Sequence, residues 1–166
     1  MLNLAKDQIV IVMKNKKNLI IYFIFFFLVI SEKTFSTEST NFLSLKKNEV
    51  NLRQGPSFDY PIKFIYKKKY LPVIVMDKLD NWRKIKDFEN NSGWIHISQL
   101  SKKKSGINKK KNTIMYEKPT IYSKPIAELE PGRLVLIIKC KKQWCKTKSG
   151  NFDGWLIKKN LWGMIN

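Results

Sequence analysis

The stretch NLRQGPSFDYP, residues 51–61, decides how this chain of 166 residues is expected to fold. It begins as a strand, in which Leu52 can enter a core while Arg53 points outward, because side chains alternate along a β-strand. Gly55 supplies a backbone freedom that other residues lack. Pro56 fixes φ and ends ladder pairing. The stretch therefore predicts an opening strand that finishes in a turn.

Two aromatic residues, Phe58 and Tyr60, follow this turn. We expect the loop to display both rings. Exposed aromatic side chains that flank a groove are a common means of holding an extended peptide. Together with Arg53 and Trp82, they are the candidate ligand-binding residues.

A second segment of the chain repeats the same frame. Pro56 matches Pro119, and Pro61 matches Pro125 after one inserted residue. Later matches are Trp82 with Trp144, Gly93-Trp94-Ile95 with Gly154-Trp155-Leu156, and Leu100 with Leu161. Matching residues that keep the same order over about 50 positions indicate a duplicated module.

Each copy is predicted to be all-β. The segments YLPVIVM (70–76), WRKI (82–85) and GWIHI (93–97) are short, apolar and rich in β-branched or aromatic residues. Turn sequences separate them, and no long helical periodicity is present. We predict two small tandem β-barrels, with closed sheets because open edges invite aggregation.

The predicted organisation has four parts: a signal peptide at 1–36, a first barrel at 45–101, a linker at 102–112 and a second barrel at 113–166. The linker, KKKSGINKKKN, places six lysines around a Ser-Gly pair. Such a composition is typical of a solvated connection. Binding of an acidic polymer is the alternative interpretation of its charge.

The N-terminal residues predict export. Basic residues at 14–17 (KNKK) precede the apolar run LIIYFIFFFLVI at 19–30, and small polar residues follow. This order is typical of a secretory signal peptide. As a helix the run reaches roughly 18 Å, against about 30 Å of hydrocarbon, so no stable transmembrane span is expected after cleavage. Cleavage is predicted after Ser36, and Met13 is an alternative start.

Export places the remainder of the chain in the periplasm or outside the cell. The alternative is an uncleaved signal that anchors the protein in the inner membrane. In both cases the remainder lies outside the cytoplasm, which argues against nucleic acid as a partner.

Two cysteines, Cys140 and Cys145, fit an oxidising compartment. A hairpin with KKQW at its tip would set them opposite each other, at about 4.5 to 5.5 Å between Cα atoms, which a disulfide can span. A redox pair or metal site is the alternative. However, the spacing is not C-x-x-C, and one distant His leaves too few ligands for zinc. We predict a structural disulfide and no metal.

The charge of the chain is strongly positive, with 32 Lys and Arg against 13 Asp and Glu, a net +19. Such a chain is attracted to anionic polymers and surfaces. Arginine is scarce among these residues, although phosphate recognition usually depends on its fork of donors. A composition rich in Lys, Asn and Ile also arises in an AT-rich genome without selection for a basic surface, so both interpretations remain open.

The residues give no case for an enzyme or a cofactor. Nucleophilic catalysis needs a base oriented by a third group. The one histidine, His96, has no such partner in the sequence, and both cysteines are expected to be bonded. We expect His96 to be an exposed strand residue. The acidic residues are scattered, and they cannot be paired as acid and base from the sequence. Four of them fall in turn-like segments: Asp77, Asp80, Asp87 and Glu89.

The motifs taken together resemble the bacterial SH3-like (SH3b) domain. They are Leu52, Arg53, Gly55, Pro56 and Ser57, then Trp82, then Gly93-Trp94-Ile95 and Leu100. The resemblance covers residues 48–101 well and 112–164 more weakly, where MYEKP (115–119) replaces the opening motif. The closing part of the second copy is similar to the C-terminal copy of exported two-copy proteins of unknown function.

The resemblance implies a fold and a function. It implies two SH3-like barrels in a secreted, non-catalytic binding module, directed to peptidoglycan or to an envelope protein. The alternatives are a structural or protein-interaction role with no wall ligand, and a basic polyanion binder. We expect the recurring tryptophans, Trp82, Trp94, Trp144 and Trp155, to have core or barrel-closing roles, with ligand contact as the alternative.

Overall fold

The computed structural model describes residues 41–163. The predicted signal peptide (1–36), its cleavage site and the alternative start at Met13 lie outside the described residues. Within residues 41–163, no helix is both long enough and apolar enough to cross a membrane.

Alternating apolar residues form a first sheet of seven antiparallel strands. These are β1 (Phe42–Leu45), β2 (Val50–Arg53), β3 (Ile62–Tyr66), β4 (Pro72–Leu79), β5 (Trp82–Lys86), β6 (Ser92–His96) and β7 (Leu100–Ser101). Their order in the sheet is β3-β2-β6-β5-β4-β1-β7. A 3₁₀ turn, Ile97–Gln99, connects β6 to β7.

The second sheet repeats this topology strand by strand. It contains β8 (Ser105–Asn108), β9 (Thr113–Tyr116), β10 (Pro125–Leu129), β11 (Leu134–Lys141), β12 (Trp144–Ser149), β13 (Phe152–Ile157) and β14 (Leu161–Gly163). The order is β10-β9-β13-β12-β11-β8-β14, and a second 3₁₀ turn, Lys158–Asn160, precedes β14. The predicted all-β fold and its duplication are confirmed.

Each sheet buries its own apolar cluster. The first consists of Leu45, Val50, Leu52, Tyr66, Val73, Ile85, Ile95 and Leu100. The second consists of Met115, Leu129, Val135, Ile137, Cys145, Leu156 and Leu161. Most of these residues alternate along their strands with less buried ones, as a sheet with one buried face requires. Removing this apolar surface from water is the main stabilising term.

The sheets are open, whereas the sequence predicts closed barrels. Each sheet ends at two edge strands that pair on one side only, β3 and β7 in the first sheet and β10 and β14 in the second. The terminal strands β7 and β14 have only two and three residues. Lys63 lies on the other edge strand of the first sheet. Very short edges and edge lysines also discourage aggregation, so closure is not needed for that purpose.

The predicted linker at 102–112 contains a strand of the second sheet. All four residues of β8 are buried. The side-chain Nδ2 of Asn108 donates hydrogen bonds to the carbonyl oxygens of Lys110 (2.7 Å), Leu129 (2.9 Å) and Glu130 (2.9 Å). A solvated linker over the whole of this range is therefore wrong. Composition misleads here because a buried strand can include a polar residue such as Asn108 when backbone carbonyl oxygens satisfy it.

The two cysteines lie opposite each other on β11 and β12, and the predicted disulfide is present. The Cα atoms of Cys140 and Cys145 are 4.0 Å apart. The turn of this hairpin is shorter than the predicted tip KKQW. Lys141 pairs with Trp144, which leaves only Lys142 and Gln143 in the turn. Lys142 adopts a φ of 53° there.

The two sheets contact each other through an aromatic side chain. Trp162 on β14 lies 5.1 Å from Phe42 of the first sheet, ring centre to ring centre, in an edge-to-face arrangement. Its ring centre is also 5.5 Å from that of Phe88. Aromatic pairs at these distances add stabilisation beyond their buried area.

Trp94 and Trp155 are half-buried, and neither belongs to a core cluster. A core role for these two tryptophans is therefore wrong. The reason is alternation, because Ile95 and Leu156, which are both 0% exposed, take the positions that face the cores. Trp82 and Trp144 are buried, at 8% and 6% exposed.

The glycines before Trp94 and Trp155 allow two strands to approach each other. A Cβ atom on Gly93 would lie 2.7 Å from the carbonyl oxygen of Arg53, and one on Gly154 would lie 2.8 Å from that of Tyr116. Both glycines are therefore sterically required where β6 meets β2 and where β13 meets β9. In the first sheet this contact sets Arg53 directly opposite Trp94.

Candidate functional site

The segment after β2 turns back on itself and is closed at its base. The Gln54 amide donates a 3.1 Å hydrogen bond to the carbonyl oxygen of Pro61. At the tip, the Asp59 amide donates to Ser57 Oγ, and this hydroxyl donates to the Asp59 carboxylate at 2.8 Å. We call residues 54–61 the aromatic loop.

Gly55 is needed in this loop for a different reason from the one that the sequence suggests. It does not adopt a positive φ. Instead, a Cβ atom at this position would lie 2.6 Å from ring atoms of Tyr60. Glycine therefore makes room for the Tyr60 ring, and backbone freedom is not the reason for its presence.

Arg53 holds the aromatic loop from below. Its Nη1 donates to the carbonyl oxygen of Phe58 at 2.9 Å and to that of Tyr60 at 2.7 Å. Its Cζ atom also lies 5.6 Å from the centre of the Phe58 ring, within the range of a cation–π contact. One outward-facing side chain at the end of β2 therefore sets the position of both loop aromatics.

Three rings meet beside this arginine, and we call Phe58, Trp82 and His96 the aromatic cluster. The ring centres of Phe58 and Trp82 are 4.9 Å apart, those of Phe58 and His96 5.4 Å, and those of Trp82 and His96 5.3 Å. Phe58 is 61% exposed, whereas Trp82 beneath it is 8% exposed. The cluster therefore presents one rigidly supported ring to solvent.

The register of the sheet explains why these side chains share a face. Trp82 lies directly opposite His96 on the paired strands β5 and β6. Arg53 lies opposite Trp94, and Trp94 and His96 are two residues apart on one strand. Side chains at such positions point to the same side of a sheet. This is the face away from the core, because Ile95 between them faces inward.

The structure brings together three of the four candidate ligand-binding residues directly, namely Arg53, Phe58 and Trp82. Tyr60, which is 47% exposed, is linked to them because its carbonyl oxygen accepts a hydrogen bond from Arg53 Nη1, and its ring packs on Gly55. His96 was not among the candidates, and it is half-buried in the cluster. The signal that could have identified it is the hairpin register of WRKI and GWIHI, which places it opposite Trp82.

The second copy does not reproduce this cluster. Tyr116 stands where the first copy has Arg53, and Ile157 stands where it has His96, as their strand partners show. Tyr116 lies 5.8 Å from Trp144, ring centre to ring centre. On the corresponding loop, Tyr122 is 92% exposed. The supported ring is therefore a feature of the first copy.

The side chains at this site are of the types that usually form binding surfaces. His96 Nδ1 lies 2.8 Å from Ser98 Oγ, and its ring faces Phe58 and Trp82. Across residues 41–163, no group of three or more His, Cys, Asp and Glu side chains could hold a metal ion. Aromatic and arginine side chains in such an arrangement are typical of binding surfaces.

Comparison with protein families agrees with the fold. The profile of the family described as "Bacterial SH3 domain" matches residues 46–102 and, separately, residues 109–163. The chain belongs to the bacterial SH3 domain family. The resemblance noted from the sequence is thereby confirmed for both copies. Bacterial SH3 domains are typically non-catalytic binding modules.

Other comparisons give only distant matches. No curated protein matches the chain. Among solved structures, NlpC2 from Trichomonas vaginalis matches at 12% identity and a TM-score of 0.35, over 76% of this chain and 49% of that chain. NlpC1 from the same organism matches at 11% and 0.34, over 76% and 46%.

A third solved structure is an NlpC/P60 family protein from Bacillus cereus, at 14% identity and a TM-score of 0.33, over 74% of this chain and 56% of that chain. The two-copy bacterial SH3 chain thus spans about half the length of the solved structures it matches.

Proposed function

We propose that this protein is a non-catalytic binding module of the cell envelope, whose first SH3 domain holds a peptide of peptidoglycan on the aromatic cluster. The observation that carries the proposal is the position of Phe58. Its ring is 61% exposed, yet it is supported by Trp82, His96 and Arg53.

A ring that is already ordered binds at a lower entropic cost than a mobile one. Aromatic and arginine side chains are also the residues that most often dominate binding energy. The aromatic cluster offers one of each at its centre. The guanidinium group has five N–H donors, and Nη1 supplies both bonds to the loop. Arg53 therefore has further donors with which to bind a peptide carboxylate.

The predicted export of the chain supports a ligand in the envelope. The excess of basic residues also favours an anionic surface such as the cell wall, with binding that weakens as salt rises. An envelope protein held on the same cluster is the second candidate, because aromatic surfaces of this kind also hold extended segments of proteins.

The test is co-sedimentation of the chain that follows Ser36 with purified peptidoglycan sacculi, at low and at high salt. Phe58→Ala should weaken binding about tenfold, because a central aromatic residue typically contributes more than 1 kcal/mol. Tyr122→Ala is the matched control, since Tyr122 is an exposed aromatic on the corresponding loop of the second domain. This control should bind as the unmodified protein does.

Failure to sediment with sacculi at low salt would remove the wall as the ligand. Binding to an envelope protein extract that depends on Phe58 would then favour the protein-interaction role. If neutralising the lysines of 102–111 abolishes binding while Phe58→Ala has no effect, the protein is a polyanion binder.

A further inference from the structure

The two SH3 domains carry corresponding hairpins with very different charge. In the first domain, β4 and β5 meet at a turn of Asp80 and Asn81. In the second, β11 and β12 meet at Lys142 and Gln143. Both turns use a positive φ at their first residue, 44° and 53°. Both hairpins also shift register at the corresponding place. The first domain is therefore an internal reference for the second.

Five positions that are not basic in the first domain are lysines in the second, whereas two basic positions of the first, Lys78 and Arg83, are cysteines in the second. Lys139, Lys141, Lys142, Lys158 and Lys159 stand where the first domain has Asp77, Leu79, Asp80, Ile97 and Ser98. Lys146 and Lys148 stand where lysines are already present, at Lys84 and Lys86. We call these seven lysines the lysine hairpin. Lys158 and Lys159 are included because the backbone N–H of Lys158 donates a 2.7 Å hydrogen bond to the Gln143 carbonyl oxygen in the hairpin turn.

The strand pairing brings like charges together. Lys139 lies directly opposite Lys146, whereas the same position of the first domain pairs Asp77 with Lys84. Directly opposed like charges destabilise a sheet, while opposite charges stabilise it. At this position the second domain therefore replaces a favourable pair with an unfavourable one. At the next position, the like-charged pair of the first domain, Lys78 and Arg83, is replaced by the disulfide. The neighbouring disulfide, Cys140–Cys145, holds the strands in this register.

Little negative charge compensates these lysines. Among the described residues, one of the seven lysines forms an ion pair: Lys146 lies 3.4 Å from the Asp153 carboxylate. Lys139, Lys141, Lys142, Lys148 and Lys159 are exposed. Lys139, Lys141 and Lys146 share one face, because they occupy alternate or opposed positions. An anionic surface that meets this face would remove the repulsion and gain several charge contacts together.

We propose that the lysine hairpin binds the headgroups of an anionic phospholipid bilayer. Lysine is a compact point charge without the fork that recognises a single phosphate, so the group suits a surface of many spaced charges. Trp144, the aromatic residue within the hairpin, is 6% exposed and offers no ring for stacking on a nucleic-acid base. Ile138 beside Lys139 is 53% exposed, and an exposed aliphatic side chain among lysines can enter a lipid interface.

The test is co-sedimentation of the chain that follows Ser36 with vesicles of phosphatidylcholine alone and of phosphatidylcholine mixed with phosphatidylglycerol. The test variant carries Lys139→Gln, Lys141→Gln and Lys142→Gln. The matched control carries Lys67→Gln, Lys68→Gln and Lys69→Gln, which removes three exposed lysines from the first domain. Both variants therefore have the same net charge.

The unmodified protein should bind only the mixed vesicles, and less strongly as salt rises. The hairpin variant should lose about a hundredfold in affinity, because each of the three lysines contributes about fivefold to binding of an anionic surface. The control should stay within about threefold of the unmodified protein. Equal losses in both variants would show a non-specific effect of net charge and overturn the proposal. Equal binding to both vesicle types, or binding of soluble polyphosphate in place of vesicles, would also overturn it.

Discussion

Replacement of Arg53 by methionine should release the aromatic loop while leaving the core of the first domain folded. Met keeps the length of the side chain but has no donors. Arg53→Met therefore removes the bonds to the carbonyl oxygens of Phe58 and Tyr60 and the contact with the Phe58 ring. The residues of the core cluster, such as Leu52 and Ile95, are not touched by the change.

The size of the effect follows from these contacts. A hydrogen bond from a charged donor contributes about 1.5 to 3 kcal/mol when it is buried, and less where solvent competes. Both bonds are exposed, so together they contribute about 1 to 1.5 kcal/mol. The cation–π contact adds about 0.5 kcal/mol at an exposed site. The free energy that favours the closed form of the loop over an open form should fall by about 2 kcal/mol. This corresponds to a roughly thirtyfold larger population of the open form.

Native-state hydrogen exchange measures this loss at single amides. The reporter is the Gln54 amide, which donates to Pro61 across the base of the loop. The matched control is Arg83→Met, because Arg83 Nη1 also bonds two carbonyl oxygens, those of Asp80 and Trp82. Only Arg53→Met should speed exchange at Gln54. Unchanged protection there, or the same acceleration from Arg83→Met, would refute the role given to Arg53.

Three further predictions concern stability. Replacing Cys140 by serine and the buried Cys145 by alanine should lower the free energy of unfolding by about 2 kcal/mol, since the closed loop is short; urea denaturation checks this, and an unfolded variant would contradict it. Trp94→Ala should cost about 2 kcal/mol in the same assay, because a half-buried ring loses less than the 3 to 5 kcal/mol of a core tryptophan. Burial, and then the hydrogen bond to Asp87, raise the pKa of Tyr66 above its usual value. The unfolded chain therefore loses this proton first, and stability should fall by about 1.4 kcal/mol per pH unit above about pH 10; Tyr66→Phe should remove that part of the slope.

The duplication was the most predictable feature of the fold, because it depends on order and spacing alone. Gly93-Trp94-Ile95 and Gly154-Trp155-Leu156 are visible without a structure, and each occupies the same strand of its sheet. The disulfide was predictable for a similar reason, since a tight hairpin between two β-branched runs leaves Cys140 and Cys145 in register. Local geometry determines both features.

The strand at Ser105–Asn108 was not predictable from composition. Its burial depends on Leu129 and Glu130, whose carbonyl oxygens accept from the Asn108 amide more than twenty residues away along the chain. The roles of the tryptophans were misjudged for the same reason. Recurrence shows that Trp94 and Trp155 occupy equivalent places, but only the pairing of the strands shows which face of the sheet those places lie on.

Motifs and their spacing are enough to assign the class of this protein, a duplicated, all-β, disulfide-containing chain of the bacterial SH3 family. The position of its exposed clusters depends on contacts between strands. The tertiary structure brings His96 to Phe58 and Trp82, gives Arg53 its two carbonyl partners, and sets Lys139 against Lys146. Motifs and periodicity report on local backbone preference. Contacts between strands depend on register, and a shift of one residue would move every side chain to the opposite face.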